Sequence, residues 1–276
     1  MPFNRIGIVG VGLLGGSIGL AVKAALKHCA VIGYDNRTPT LDRGKRVGAI
    51  DVAAESLEQL AGESDLLILC TPVSVFEGVL KQISTNTSPV AVVTDVGSTK
   101  GSVVDLAGRL LPHPRQFIGS HPMAGGEKGG IENARVDLLK DAVCILTPVG
   151  TSPVVEVVEE FWKSLGMRVS RLSPAEHDQI MAEVSHLPHA VAGALVRLQN
   201  VMGMSLCGPG FRDVTRIASG NPELWRDIFL DNKMNLLSGI SRFRTELGRF
   251  EQILVNGDRE ELRKWLAAAA ERRNSI

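Results

Sequence analysis

Residues 10–15 read Gly-Val-Gly-Leu-Leu-Gly, between an apolar run at 5–9 and helix-forming residues at 15–27. Few six-residue stretches limit a fold so tightly. The first glycine permits a tight turn, the second lets another group approach the backbone, and the third lets helix and strand pack closely. Strand, glycine turn and helix in this order open a βαβ unit, and the unpaired N–H groups at the helix start attract an anion. A second strand is expected over 30–34. Asp35 ends it, 20 residues after Gly15 (35 − 15), where a carboxylate can take both hydroxyls of a ribose.

These features predict a Rossmann-type domain that binds a dinucleotide through Gly10, Gly12, Leu14, Gly15 and Asp35. A carboxylate at the ribose repels a 2′-phosphate and so favours NAD over NADP, with Arg37 two residues on as the opposing clamp. Further strands are expected at 66–70, 91–94, 117–119, 142–146 and 167–172, with a helix from Ser152-Pro153 through Trp162. Short apolar strands separated by helices predict a mostly parallel sheet covered on both faces. Thr71-Pro72 falls at the carboxyl edge of that sheet, where ligands sit, and is expected to contact the cofactor, with a polar turn as the alternative.

At Ser173 the pattern changes. Ser173-Pro174-Ala175-Glu176 is a capping box with proline at the first helical position, and no convincing strand follows. The chain therefore divides into an α/β domain over 1–172 and an all-α domain over 173–276. Asn221-Pro222-Glu223 starts a helix whose apolar stripe includes Leu237, Ile240, Phe243, Leu247, Phe250 and Leu254. Unbroken from 222 to 254 it would be about 50 Å long, more than its own domain can cover, which predicts a homodimer through the helices. A last helix is expected over 259–272.

Thirty Lys and Arg balance thirty Asp and Glu, so no basic surplus exists for nucleic acid or an anionic membrane. Aromatics at 4% are too few for a base-stacking platform. Four cysteines without a C-x-x-C pair suit a reducing cytoplasm, and no window of about 20 apolar residues suggests a membrane span.

Of six histidines, His121 stands out, since Gly119-Ser120-His121-Pro122-Met123-Ala124-Gly125-Gly126 puts it after a strand, on an irregular loop at the ligand edge. A neutral imidazole there can take a hydroxyl proton; a loop histidine bonded to backbone is the alternative. Ser185-His186-Leu187-Pro188-His189 is expected to interrupt the helix begun at Ser173. His186 and His189, spaced i, i+3, could join His121 as three metal ligands, but with no ordered carboxylate ligand nearby in the sequence no metal is expected. Arg212 and Arg216, spaced i, i+4, either grip a carboxylate or form a solvated face with Asp213.

Residues 10–15, 94–98, 119–125, 185–189 and 211–218 together resemble the prephenate/arogenate dehydrogenase family of tyrosine biosynthesis. The resemblance implies oxidative decarboxylation of prephenate to 4-hydroxyphenylpyruvate, or of arogenate to tyrosine. It also implies roles: His121 accepts the ring 4-hydroxyl proton, Ser98 orients His121 beside the cofactor, Arg216 holds a substrate carboxylate, and Ser185 and His189 line the side-chain end. Two other readings stand beside it. One is a β-hydroxyacid or imine reductase of the same two-domain plan, expected to carry a lysine in the helical part. The other is a non-catalytic NAD-binding regulator.

Overall fold

A computed structural model describes residues 3–88, 91–126 and 128–275. Strand β1 (Arg5–Val9) leads through the glycine turn into helix α1 (Leu13–Ala25), then β2 (Ala30–Tyr34), α2 (Thr38–Arg46), β3 (Val52–Ala53) and α3 (Leu57–Glu63). Strand β4 (Leu66–Leu69), α4 (Phe76–Ile83), β5 (Val92–Asp95), α5 (Gly101–Leu110) and β6 (Phe117–Pro122) continue the alternation. Strand β7 (Val143–Thr147), α6 (Val154–Ser164) and β8 (Arg168–Arg171) complete an eight-stranded sheet of order β3-β2-β1-β4-β5-β6-β7-β8.

Strands β1 to β6 run parallel, and only the β6–β7 pairing is antiparallel. On β4, Leu66 and Ile68 join the cluster packed under α1 and α6, while Leu67 and Leu69 join the one under α3, α4 and α5. Successive side chains of a strand face opposite sides, so a strand buried on both must be apolar throughout. The mostly parallel, two-sided sheet is as expected, and β3, two residues long, is an addition.

Strand β6 corrects one expectation. It runs to Pro122, because Gly119 pairs with Thr147 and His121 with Ile145 across the antiparallel ladder. His121 is therefore held in the sheet, and the irregular segment begins after it.

The helical part comprises α7 (Pro174–Met181), a π-helical turn at Ala182–His186, α8 (Leu187–Arg197), α9 (Val201–Ser205) and α10 (Pro209–Thr215), then α11 (Pro222–Asp231), α12 (Lys233–Asn256) and α13 (Arg259–Asn274). Ser173 caps α7 in the reciprocal box with Glu176. The segment 185–189 does not interrupt the helical path. Pro188 has no N–H to give the carbonyl of Val184, and the backbone answers with one wide turn ahead of α8.

The long helix expected from 222 to 254 is instead two, broken at Asn232. Asn232 is buried, and its Nδ2 donates to the backbone carbonyl of Asp178 (2.7 Å) and lies 3.1 Å from His186 Nδ1. Its side chain is tied to the α7 end of the site, and the backbone bends there. Among the described residues no helix is long and apolar enough to cross a membrane.

Candidate active site

At the glycine turn Gly10 has φ +92°, and its N–H donates to the carbonyl of Tyr34 (2.7 Å). A Cβ on Gly15 would lie 2.0 Å from the Gly10 carbonyl oxygen, so close packing of α1 on β1 forbids one. A Cβ on Gly12 would meet nothing within 4 Å, which leaves open room over the turn. No side chain caps α1, so its first N–H groups face that room. Asp35 closes the far side: its Oδ2 accepts from Val11 N (3.1 Å), and its Oδ1 from Arg37 N (3.0 Å) and Nε (3.3 Å). Arg37 thus contacts Asp35 through Nε, with most of its side chain exposed.

Leu14 packs its side chain into the core and can offer a ligand only its backbone, while Leu13 faces a cavity. Thr71 flanks the turn, and a Cβ on Gly10 would touch its methyl at 3.0 Å. Its Oγ1 is buried without a hydrogen-bond partner, as expected of a group reserved for a ligand, and the exposed Pro72 follows. Open turn, uncapped helix, inward carboxylate and orphaned hydroxyl fit a dinucleotide.

His121 sits at the carboxyl end of β6, on a polar floor. Thr94 Oγ1 donates to the Ile118 carbonyl (2.6 Å) and lies 2.7 Å from Ser120 Oγ. Beneath, the fully buried Lys100 ammonium pairs with the fully buried Asp95 carboxylate and donates to the Ser120 carbonyl (2.9 Å). Asp95 accepts from Ser120 N (3.0 Å) and Gly97 N (2.7 Å). Both backbone groups of Ser120, next to His121, are thereby fixed.

The His121 ring meets a partner that sequence reasoning did not name: Nδ1 lies 2.8 Å from Nε2 of His177 on α7. His177 Nδ1 lies 2.8 Å from Asp178 Oδ1. The Asp178 carboxylate in turn accepts from Lys100 N and Gly101 N, each at 2.8 Å, capping α5 from outside. Among the described residues the ring that meets His121 is that of His177, and no hydrogen bond joins Ser98 to His121. Ser98 lies half-buried in the turn between β5 and α5. Burial, then the neighbouring His177, Lys100 and His186, push the His121 imidazole well below its ordinary pKa and keep it neutral. Burial raises the Asp178 carboxyl, but hydrogen bonds from His177, Gly101 and Lys100 outweigh it and hold it below its ordinary value.

A cavity of about 580 Å³ opens between the glycine turn and the helical part. Leu13, Gly125 and Gly126 line one wall, Lys128 and Arg135 stand beside them, and His189, Arg216 and Trp225 line the opposite wall. Arg216 begins a short 3-10 turn after α10 and faces the cavity, whereas Arg212, on α10, is not part of its lining. The histidine wall is built by stacking: the His189 and Trp225 rings lie 3.6 Å apart at 19°, with Phe229 edge-on. His189 is buried, its Nδ1 has no partner, and burial lowers its pKa. A Cβ on Gly220 would strike Trp225 Nε1 at 2.5 Å, so glycine there lets the stack form. Ser185 lies half-buried in the π turn, outside the lining of this cavity.

Sequence reasoning missed His177, Asp178, Lys100, Trp225 and Asn232. For His177 and Asp178 a signal existed, since the capping box sets the phase of α7, but their partners lie in another part of the chain.

A dinucleotide cradle, a neutral histidine at the sheet edge and a cation-lined cavity define a two-domain nicotinamide-dependent dehydrogenase. Family models give the same assignment in finer terms: "Prephenate dehydrogenase, nucleotide-binding domain" matches residues 18–171, and "Prephenate dehydrogenase, dimerization domain" matches 173–268. The chain belongs to the prephenate dehydrogenase family. It is 34% identical to prephenate dehydrogenase of Bacillus subtilis over 99% of this chain and 76% of that protein. Prephenate dehydrogenase from A. aeolicus, solved with hydroxyphenyl propionate and NAD+, superposes with a TM-score of 0.93 at 34% identity, covering 100% of this chain and 99% of that one. Arogenate dehydrogenase of Synechocystis gives 0.86 at 30% identity, with 98% and 99% covered. Family membership sets aside the reductase and regulator readings.

Proposed function

We propose that this protein oxidatively decarboxylates prephenate to 4-hydroxyphenylpyruvate and CO₂ with NAD as the oxidant. When bound, the nicotinamide supplies the hydride acceptor. Gly10, Gly12, Gly15 and the α1 N-terminus receive the pyrophosphate, Asp35 the ribose hydroxyls, and Thr71-Pro72 and Ser98 flank the nicotinamide end. His121 takes the ring 4-hydroxyl proton at Nε2. As the ring becomes aromatic, the bond to its carboxylate breaks and CO₂ leaves. Arg216 holds a substrate carboxylate, and His189 and Ser185 border the side-chain end.

The observation that carries this reading is the neutral His121 at the carboxyl edge of the sheet, the edge that also holds the glycine turn; His121 itself is outside the cavity lining, whose charged residues among those described are Lys128, Arg135 and Arg216. Cations beside the cavity suit a substrate that carries two carboxylates, which prephenate and arogenate share. NAD is favoured over NADP because the Asp35 carboxylate at the cradle repels a 2′-phosphate.

The reading includes a homodimer. Leu198, Val201, Met202, Leu206, Leu230, Met234 and Leu237 are exposed large apolar side chains of the helical part. A single α12 of 24 residues no longer supports dimerisation by length, but this uncovered surface does. The free cysteines are consistent with the cytoplasmic location expected from the sequence.

The test is absorbance at 340 nm with purified protein, NAD, and prephenate or arogenate. Turnover of prephenate, at least about 100-fold slower in His121→Asn with NAD affinity retained, is expected. Inertness toward both substrates, or a near-wild-type His121→Asn, would overturn the reading. Light scattering at micromolar concentration should give twice the chain mass.

A further inference from the structure

The dipeptide His177-Asp178 projects from the helical part into the α/β part and makes two contacts there at once. Asp178 caps α5 through Lys100 N and Gly101 N, and His177 reaches the ring of His121. His177 is completely buried, and its other ring nitrogen is 2.8 Å from Asp178 Oδ1.

The proton order along this chain follows from the fixed end. An ionised carboxylate can only accept, so His177 Nδ1 must carry a hydrogen and donate it to Asp178. If that is its one N–H, His177 Nε2 is bare and able only to accept. The 2.8 Å contact to His121 Nδ1 then requires the hydrogen on His121 Nδ1. The nitrogen left bare on His121 is Nε2.

We infer that His177 and Asp178 are positioning residues that lock His121 in its Nδ1–H tautomer, so that Nε2 faces the substrate as a ready base. The inference rests on His121 being the base of the proposed reaction. When Nε2 accepts the 4-hydroxyl proton, His121 becomes an imidazolium with both nitrogens protonated. Its Nδ1–H bond to His177 strengthens, and the Asp178 charge is met through that bond. No atom is gained or lost by His177 or Asp178 in that state. Because the carboxylate also caps α5, the helical part must be seated on the sheet for the base to be correctly protonated.

Two measurements test this. In ¹⁵N-histidine-labelled wild type, with His121→Asn for assignment, long-range ¹H–¹⁵N spectra should show His121 protonated at Nδ1 and bare at Nε2. In His177→Leu that preference should be lost. A His121 proton on Nε2 in the wild type, or a tautomer unchanged in His177→Leu, would overturn the proposal.

Kinetically, His177→Leu should lower kcat about tenfold or more while prephenate KM and NAD Kd stay within about twofold. His177→Gln, whose carbonyl can accept from His121 while its amide donates to Asp178, should regain most of that loss. A leucine variant with wild-type kcat, or a glutamine variant as slow as leucine, would equally overturn it. If leucine prevents folding, the wild-type tautomer and the glutamine variant still decide. A wild type inert toward prephenate yet with the expected tautomer would sink the proposed reaction and leave the lock intact.

Discussion

Replacing Lys100 by methionine strips the Asp95 carboxylate of its counter-charge while leaving it fully buried. Methionine fills much of the same volume, so packing changes little and electrostatics dominate. Asp95 keeps the N–H groups of Ser120 and Gly97, but the Ser120 carbonyl loses its donor. Removing one partner of a buried pair costs about 3–5 kcal/mol, against nearly nothing for an exposed one. At about 2–4 °C per kcal/mol for a chain near this size, Tm should fall by roughly 6–20 °C.

Urea unfolding followed by tryptophan fluorescence reads the change, with the fully buried Trp162 as a reporter. Adding Asp95→Asn to Lys100→Met removes the stranded charge and should restore roughly 1–2 kcal/mol. A Lys100→Met protein within about 1 kcal/mol of wild type would refute the reasoning, as would a double variant no more stable than the single. The same substitution bears on His121, whose pKa Lys100 helps to lower. Without that ammonium the imidazole stays protonated to higher pH, so the acid limb of kcat/KM should move upward.

Asp35→Ser should weaken NAD and raise relative use of NADP; an unchanged NAD/NADP ratio of kcat/KM would remove Asp35 from the ribose site. Arg216→Ala should chiefly raise prephenate KM, and an unchanged KM would dismiss it as the carboxylate anchor. The folded protein should lose stability on acidification from the ordinary histidine value of 6.5 toward 4. The reason is that burial depresses His186 to about 4, and His121 and His189 are also lowered. In that window the unfolded chain binds protons that the folded chain refuses, so stability falls with falling pH. A Tm equal at pH 7 and pH 5 would contradict this.

Features set by local rules were legible without coordinates. The turn at Gly10 needs a positive φ, the capping box at Ser173 pairs neighbouring backbone and side chain, and β4 must be apolar because both its faces are covered. From these alone came the α/β domain, the helical domain and the dinucleotide cradle with Asp35. His121 was legible as a candidate base, but the strand holding it was drawn too short, since its last residues are kept in place by β7 rather than by their own propensity.

What tertiary structure decided was which polar groups meet. His121 and His177 are 56 residues apart, Lys100 and Asp178 are 78 apart, and Asn232 and His186 are 46 apart. Composition presents Lys100 as one of thirty cations and Asn232 as an ordinary helix residue; only the packed interior makes one a buried counter-ion and the other the break between α11 and α12. Periodicity constrains residues within a turn or two of each other, whereas a buried hydrogen bond is set by whichever surfaces the fold presses together. The cofactor cradle is therefore written in one contiguous stretch of chain, and the surroundings of the His121 ring are a property of the packed chain.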